Sequence, residues 1–328
     1  MKLLVDLTIP ALPQPLRYTD KILLTGSCFT EHMADRLAQH HFRHLSNPNG
    51  ILFNPLSVAD SLRGYLQGKQ YRAEDLFYLN ELWNSWDHHT RFSDMDRDAA
   101  LNQLNHAQAE ATTMIHEADW LIITLGSAFQ YYLRENGLPV ANNHRAPGQW
   151  FEKKLLTVAQ MNTALSAVLE LLHEKNPRAR VLLTISPVRH IRDGVVENNR
   201  SKARLIETVH ELCGTFGFVH YFPSYELVID VLRDYRYYDI DLVHPNFAAT
   251  SYVWETFMQS CIEVETIQQM AAVLELSTAQ KHRPRFAGTQ AHRDFCRKYA
   301  EKAKELQLLH PYLDLSGPVN HFERMLKE

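Results

Sequence analysis

The chain has 328 residues, 45% of them hydrophobic and 22% charged, and that apolar content excludes a largely disordered protein. Lys and Arg number 34 against 38 Asp and Glu, a net charge of −4 with no basic block, which excludes nucleic acid as the principal partner. The length suggests about two domains, or one large α/β domain with additions. Residues 1–17 carry Asp6, Pro10, Pro13 and Pro15 through their apolar stretch, so they do not read as a secretory signal, and no run is long enough to span a bilayer. The cysteines (Cys28, Cys213, Cys261, Cys296) are far apart with no C-x-x-C pair, which points to free thiols and a cytoplasmic setting. Histidines number 18 and outnumber the 12 glycines. They lack the helical His pair with an intervening Glu that marks a metallohydrolase, so neither a metal nor another cofactor is expected.

Five short apolar runs read as buried strands: residues 22–25, 42–45, 120–125, 180–186 and 218–222. The third and fourth are nearly continuous in aliphatic residues, as strands covered on both faces of a parallel sheet are. Helices are expected between them. The first covers residues 31–40, and the second residues 55–66, with Leu56, Ala59, Leu62 and Leu66 on one stripe. A third covers residues 96–118. The fourth, 157–175, opens on a capping box from Thr157 to Gln160 and stops at Asn176-Pro177. Another covers 197–216, and long amphipathic helices cover 246–276 and 288–308. Alternating strands and helices predict a doubly wound α/β sheet. Residues 77–86 and 131–140 break the alternation and read as hairpins inserted near 77–90 and 131–145. The expected division is an α/β domain of residues 1–275 and a helical extension of residues 276–328.

Chemistry is expected first at Thr25-Gly26-Ser27-Cys28-Phe29, where the first strand meets its helix. Gly26 permits a sharp turn, and the helix offers free amides beside the Ser27 hydroxyl. The plain alternative is a helix cap. A second candidate is Asp241-Leu-Val-His244-Pro245 after the last strand, in which His can take a proton and Asp can fix its tautomer. In a sheet of order 2-1-3-4-5, ligands bind beyond the carboxyl ends of the strands, at the switch between strands one and three. The serine turn lies there, and a loop after strand five reaches the same rim. Gly126, in Leu125-Gly126-Ser127-Ala128-Phe129, forms the other lip.

Gly26-Ser27-Cys28-Phe29-Thr30 resembles the signature of the GSCFA domain family, a branch of the SGNH (GDSL-like) hydrolase superfamily; only Thr30 departs, where Ala is usual. Residues 47–55, 126–132, 140–145, 186–190, 197–203, 221–226 and 241–245 add to the likeness, which spans residues 3–265. The resemblance implies a flavodoxin-like, three-layer α/β/α fold. It also implies hydrolysis of a small acyl ester through an acyl-enzyme, with Ser27 as nucleophile, His244 as base and Asp241 orienting it. An O-acetylated carbohydrate is one candidate substrate. Gly50 matches the glycine whose amide helps form the oxyanion hole, and the Ser27 amide is expected to serve with it. The superfamily's G-x-N-D block is absent, since Ala128 stands where its Asn would be, and Asn54, Asn142 or Asn143 are candidates to replace that donor.

Arg189 and His190, after strand four, are expected on the same rim, where they can bind an anionic group. Trp86, His88 and His89 wall the pocket or form a hairpin tip, and His144 and Arg145 carry the same two readings. Cys28 is expected to point into the core as a small hydrophobe, its alternative being a thiolate nucleophile. Two other functions remain open on these residues: acyl transfer by the same triad, and ligand binding on a hydrolase fold without efficient turnover.

Overall fold

The computed structural model describes residues 5–286 and 288–327. Strand β1 (Ile22–Gly26) is buried throughout and runs into α1 (Cys28–Gln39), whose N-cap is Ser27. Strand β2 (His44–Ser46) follows, then α2 (Pro55–Gln67), which has Asn54 as its cap, Pro55 in its first turn and left-handed Gly68 at its end. Strands β3 (Phe77–Leu79) and β4 (Leu82–Asn84) form an antiparallel hairpin. Helix α3 (Arg97–Glu117) leads into β5 (Trp120–Leu125). Strands β6 (Phe129–Leu133), β7 (Pro139–Val140) and β8 (Phe151–Leu155) make a second, antiparallel sheet of order β7-β6-β8. Helix α4 (Val158–Lys175) has the expected capping box, with Gln160 Oε1 on the Thr157 amide and Thr157 Oγ1 on the Gln160 amide. Strand β9 (Arg180–Ile185), α5 (Val195–Thr215) and β10 (Val219–Phe222) complete the alternation. The short α6 (Ser224–Glu226) passes into a π-helical turn over Leu227–Leu232. Four helices close the chain: α7 (Phe247–Cys261), α8 (Val264–Gln280), α9 (Gln290–Leu309) and α10 (Ser316–Met325).

The central sheet has the order β2-β1-β5-β9-β10 and is parallel throughout, which is the expected 2-1-3-4-5. Alternation along the strands assigns the two faces. Ile22, Leu24, Trp120, Ile122 and Leu182 meet Phe29 and Met33 of α1, Trp254 of α7 and Val273 of α8. Leu23, Leu121, Ile123, Leu183 and Ile185 meet Leu62 of α2, Ile115 of α3, Leu165 of α4 and Val209 of α5. The result is three layers, α/β/α. Ala303 of α9 also joins the first core, so the last helices pack on the sheet domain.

Two differences from expectation have identifiable causes. The second strand begins later than expected, because the β1 register pairs Ile22 with His44. The single helix expected over 246–276 is two helices, broken at Ile262. There the N-terminal segment crosses: the Leu16 amide donates to the Cys261 carbonyl at 2.8 Å, and the Glu263 amide donates to Leu16 at 2.9 Å. No Gly or Pro marks that break; a chain segment more than 240 residues away in sequence makes it.

Candidate active site

A cavity of about 610 Å³ opens at the carboxyl ends of β1, β5 and β9, bordered by Cys28, Phe53, Ser127, Phe129, His190 and His244. This is the rim where ligands bind in open parallel sheets. Gly26 sets the turn that begins it. Its φ is +144°, and a Cβ there would lie 2.2 Å from the Thr124 carbonyl oxygen. Its amide donates to Asn47 Oδ1 at 2.9 Å. Ser27 is 1% exposed, and its Oγ accepts from the Phe29 amide at 3.3 Å. The hydroxyl thus sits at the positive end of α1, where negative charge is favoured.

The Asp241–His244 turn stands on the cavity wall. Asp241 Oδ1 accepts from the Val243 amide (2.9 Å) and the His244 amide (3.0 Å), while Oδ2 lies 2.6 Å from His244 Nδ1. The amide bond from His244 and the imidazole contact hold the Asp241 carboxyl down at about 2, so it is ionised at neutral pH. An ionised carboxylate only accepts, so Nδ1 carries a proton, and in the neutral imidazole Nε2 is then the acceptor. Leu242 adopts φ +57°, a left-handed conformation that a branched side chain rarely takes and that tightens this turn. The Arg189 amide, donating to the Val243 carbonyl at 3.2 Å, ties the turn to the segment after β9. Among the described residues no hydrogen bond joins His244 to Ser27, and the His244 side chain is 45% exposed.

The remaining expected residues divide. Gly126 lies between Phe53, Ser27 and His190: a Cβ there would come 2.8 Å from Phe53 Cβ, 3.2 Å from Ser27 Cβ and 3.4 Å from His190 Nε2. Arg189 and His190 line the cavity, and Arg189 donates to the Tyr235 hydroxyl at 3.0 Å. Gly50 is buried, but its amide closes a turn onto the Asn47 carbonyl at 2.7 Å, so it does not stand free for an oxyanion. The Ser27 amide is also engaged, on the Thr124 carbonyl at 3.0 Å. Asn54 caps α2 through both ends of its amide, onto the Ser57 amide and hydroxyl. Asn142 accepts from the His144 amide, and neither it nor Asn143 borders the cavity.

Cys28 corrects an expectation. It borders the cavity rather than the core, and burial followed by Glu31 pushes its thiol up, away from a thiolate. Trp86 stacks on Phe77 at 3.6 Å, and His88 is buried on Ser85, so both serve hairpin packing instead of the pocket wall. The His144 ring likewise packs inward, its Nε2 on the Ser85 carbonyl at 2.7 Å. Ala128 is fully buried in the second core.

Lys202 is a buried residue next to the site that sequence reasoning did not single out. It is 1% exposed, and its Nζ donates to the Gly126 carbonyl at 2.7 Å and the Ser186 carbonyl at 2.6 Å. It thus joins the ends of β5 and β9 beneath the cavity. Burial pushes it down to about 7. Its spacing to Leu205, Val209 and Leu212, on the inward face of α5, was the available signal.

Among the described residues no helix is long and apolar enough to cross a membrane, and no three His, Cys, Asp or Glu side chains converge as metal ligands do. No curated protein matches the chain. One similar solved structure is an acetyl xylan esterase (Est2A) from the rumen bacterium Butyrivibrio proteoclasticus. It is 11% identical over 76% of this chain, with a TM-score of 0.37, and the match spans 64% of that structure's length. The family model described as the GSCFA family matches residues 21–257, and that of the GSCFA C-terminal domain matches residues 273–328. These matches cover most of the chain, which belongs to the GSCFA family.

Proposed function

We propose that the chain is a serine hydrolase of the SGNH type that cleaves a small acyl ester. The observation that carries this reading is the Asp241–His244 pair on the cavity wall, whose 2.6 Å bond leaves Nε2 as a base. Ser27 heads α1 next to Cys28, which borders that cavity, while Ser27 itself is buried just behind the lining. His244 Nε2 takes the Ser27 proton as Oγ bonds to the acyl carbon, and the carbonyl electrons move to oxygen. The intermediate collapses, the ester C–O bond breaks, and the leaving alkoxide takes the proton from Nε2. Water then attacks the acyl-enzyme, gives a proton to Nε2, and Ser27 leaves with it. Ester and water become acid and alcohol. His244 reaches Ser27 by swinging inward from its half-exposed position, as catalytic hydrogen bonds tighten once substrate is bound. An alcohol in place of water gives acyl transfer.

The cavity's aromatic and cationic border, with Phe129, Tyr131, Lys153 and Arg189, suits an ester on a polar carrier such as an O-acetylated carbohydrate. Division into a catalytic unit of residues 1–275 and a helical extension of 276–328 belongs to the same proposal, as does a cytoplasmic setting, which the four free thiols support. A second reading, ligand binding without turnover, draws on the engaged amides of Ser27 and Gly50.

Hydrolysis of a short-chain nitrophenyl ester by wild type, Ser27→Ala and Cys28→Ala separates these readings. Loss of turnover and of fluorophosphonate labelling in Ser27→Ala alone supports the hydrolase. Turnover untouched in Ser27→Ala refutes it, and a folded wild type that neither turns over nor labels favours binding.

A further inference from the structure

The proposed hydrolase lacks the oxyanion donors expected of it: Ala128 is buried, and the amides of Ser27 and Gly50 are bonded elsewhere. We infer that His190 takes their place, donating a hydrogen bond from Nε2 to the substrate's acyl oxygen and strengthening it as the oxyanion forms. This rests on the reading of Ser27 as nucleophile.

Three features of the geometry support it. First, His190 Nε2 and Ser27 Cβ both come within 3.4 Å of the point that a Cβ on Gly126 would occupy. With no side chain at Gly126, the Ser27 side chain and the imidazole close on the same glycine from two sides, so an acyl group on Ser27 lies next to Nε2. Second, Nε2 is buried there without a hydrogen-bond partner. An unpartnered buried polar atom costs stability, and in a native protein it calls for a ligand or a catalytic reason. Third, the imidazole is held before any substrate arrives. The His190 amide donates to Asn198 Oδ1 at 2.9 Å, the ring lies 5.5 Å from that of Phe53, and an ion pair from Lys153 to Asp193 fastens the same segment to β8. A fixed donor aimed at the site of developing charge needs no reorganisation during reaction.

The protonation state agrees. Burial, then Lys202, His244 and Lys153, lower His190 to about 4 against the opposing pull of Asp193. The ring is neutral at physiological pH, and a neutral imidazole can serve as an electrophilic donor in a carbonyl site.

The test compares His190→Gln, which keeps a donor but cannot act as a base, with His190→Leu, which keeps neither. Each is assayed with nitrophenyl acetate, and thermal unfolding confirms folding. The expected loss in kcat is about 100- to 1,000-fold for His190→Leu, with KM little changed, and about tenfold or less for His190→Gln. In the intact wild-type protein, ¹⁵N-labelled histidine should show the His190 Nε2 proton shifting downfield when a fluorophosphonate occupies Ser27. His190→Leu at wild-type kcat, or an unmoved Nε2 proton in the phosphonylated protein, overturns the inference while the Ser27 reading stands. Equal inactivity of His190→Gln and His190→Leu makes His190 a base and also overturns it. No Ser27-dependent turnover in wild type removes the hydrolase reading and this inference with it.

Discussion

Replacing Lys202 with Met tests whether a buried amine, rather than apolar packing alone, holds the floor of the cavity. The substitution keeps most of the side-chain volume but takes the donor from the Gly126 and Ser186 carbonyls. Leaving each buried carbonyl without that donor costs about 1–3 kcal/mol. Against this, the wild-type side chain falls from 10.5 to about 7 on folding, because burial disfavours the ammonium and the opposing pull of Cys28 is smaller. Below that pH the folded state carries the full cost of a buried ammonium, on the order of 5 kcal/mol. Between the two values the unfolded chain binds the proton and the folded chain does not, so wild-type stability rises with pH across that window. The two effects nearly cancel at pH 6, where Lys202→Met should lie close to wild type. The wild-type advantage should then grow by roughly 1.4 kcal/mol per pH unit from about pH 7.5 toward 10. Urea unfolding of both proteins at half-unit pH steps measures it, and the difference cancels groups common to the two. A difference that stays flat from pH 6 to 9.5 would refute the argument that Lys202 is neutralised on folding.

Other outcomes follow from the site. Ser27→Ala should abolish fluorophosphonate labelling with the fold intact, as checked by mass spectrometry and circular dichroism. Asp241→Asn should lower kcat by about 10³- to 10⁴-fold, because an amide at this position no longer fixes the Nδ1–H tautomer of His244. Asp241 itself, held down at about 2 chiefly by the His244 amide, should set no step in the pH–rate profile above pH 4, and its contribution to stability should be lost only as pH falls toward that value. Gly126→Ala should destabilise by about 1–3 kcal/mol and cut turnover, since its Cβ would lie 2.8 Å from Phe53 Cβ and 3.2 Å from Ser27 Cβ and press on the nucleophile; wild-type kcat in that variant would count against so close an approach.

Much of this molecule was legible in one dimension. The apolar run of β5 and the alternating runs around it report burial on both faces directly, because a strand covered by helices has no polar side to show. The Thr157 cap acts over three residues, so the chain announces it locally. The Ser27 turn and the Asp241–His244 turn are equally local, each a tight bend with its chemistry inside a few positions. The break at Ile262 had no such signal, since its hydrogen bonds come from Leu16. Gly50 and Asn54 were plausible oxyanion donors as residue types, but the partners that occupy them belong to the turn and helix they stabilise.

The sequence by itself determined the alternation of strands and helices and the two short motifs at the rim, while the strand order and the three layers came from the family resemblance. Alternation and motifs depend on periodicity and on contacts within a turn. Only the tertiary structure decided which polar atoms remain free. A hydrogen-bonding group is spent or available according to what the fold brings against it, and those neighbours are distant in the chain. Lys202 reaches Gly126, His190 Nε2 is left near Ser27 without a hydrogen-bond partner, and the Gly50 amide is spent on Asn47 for that reason.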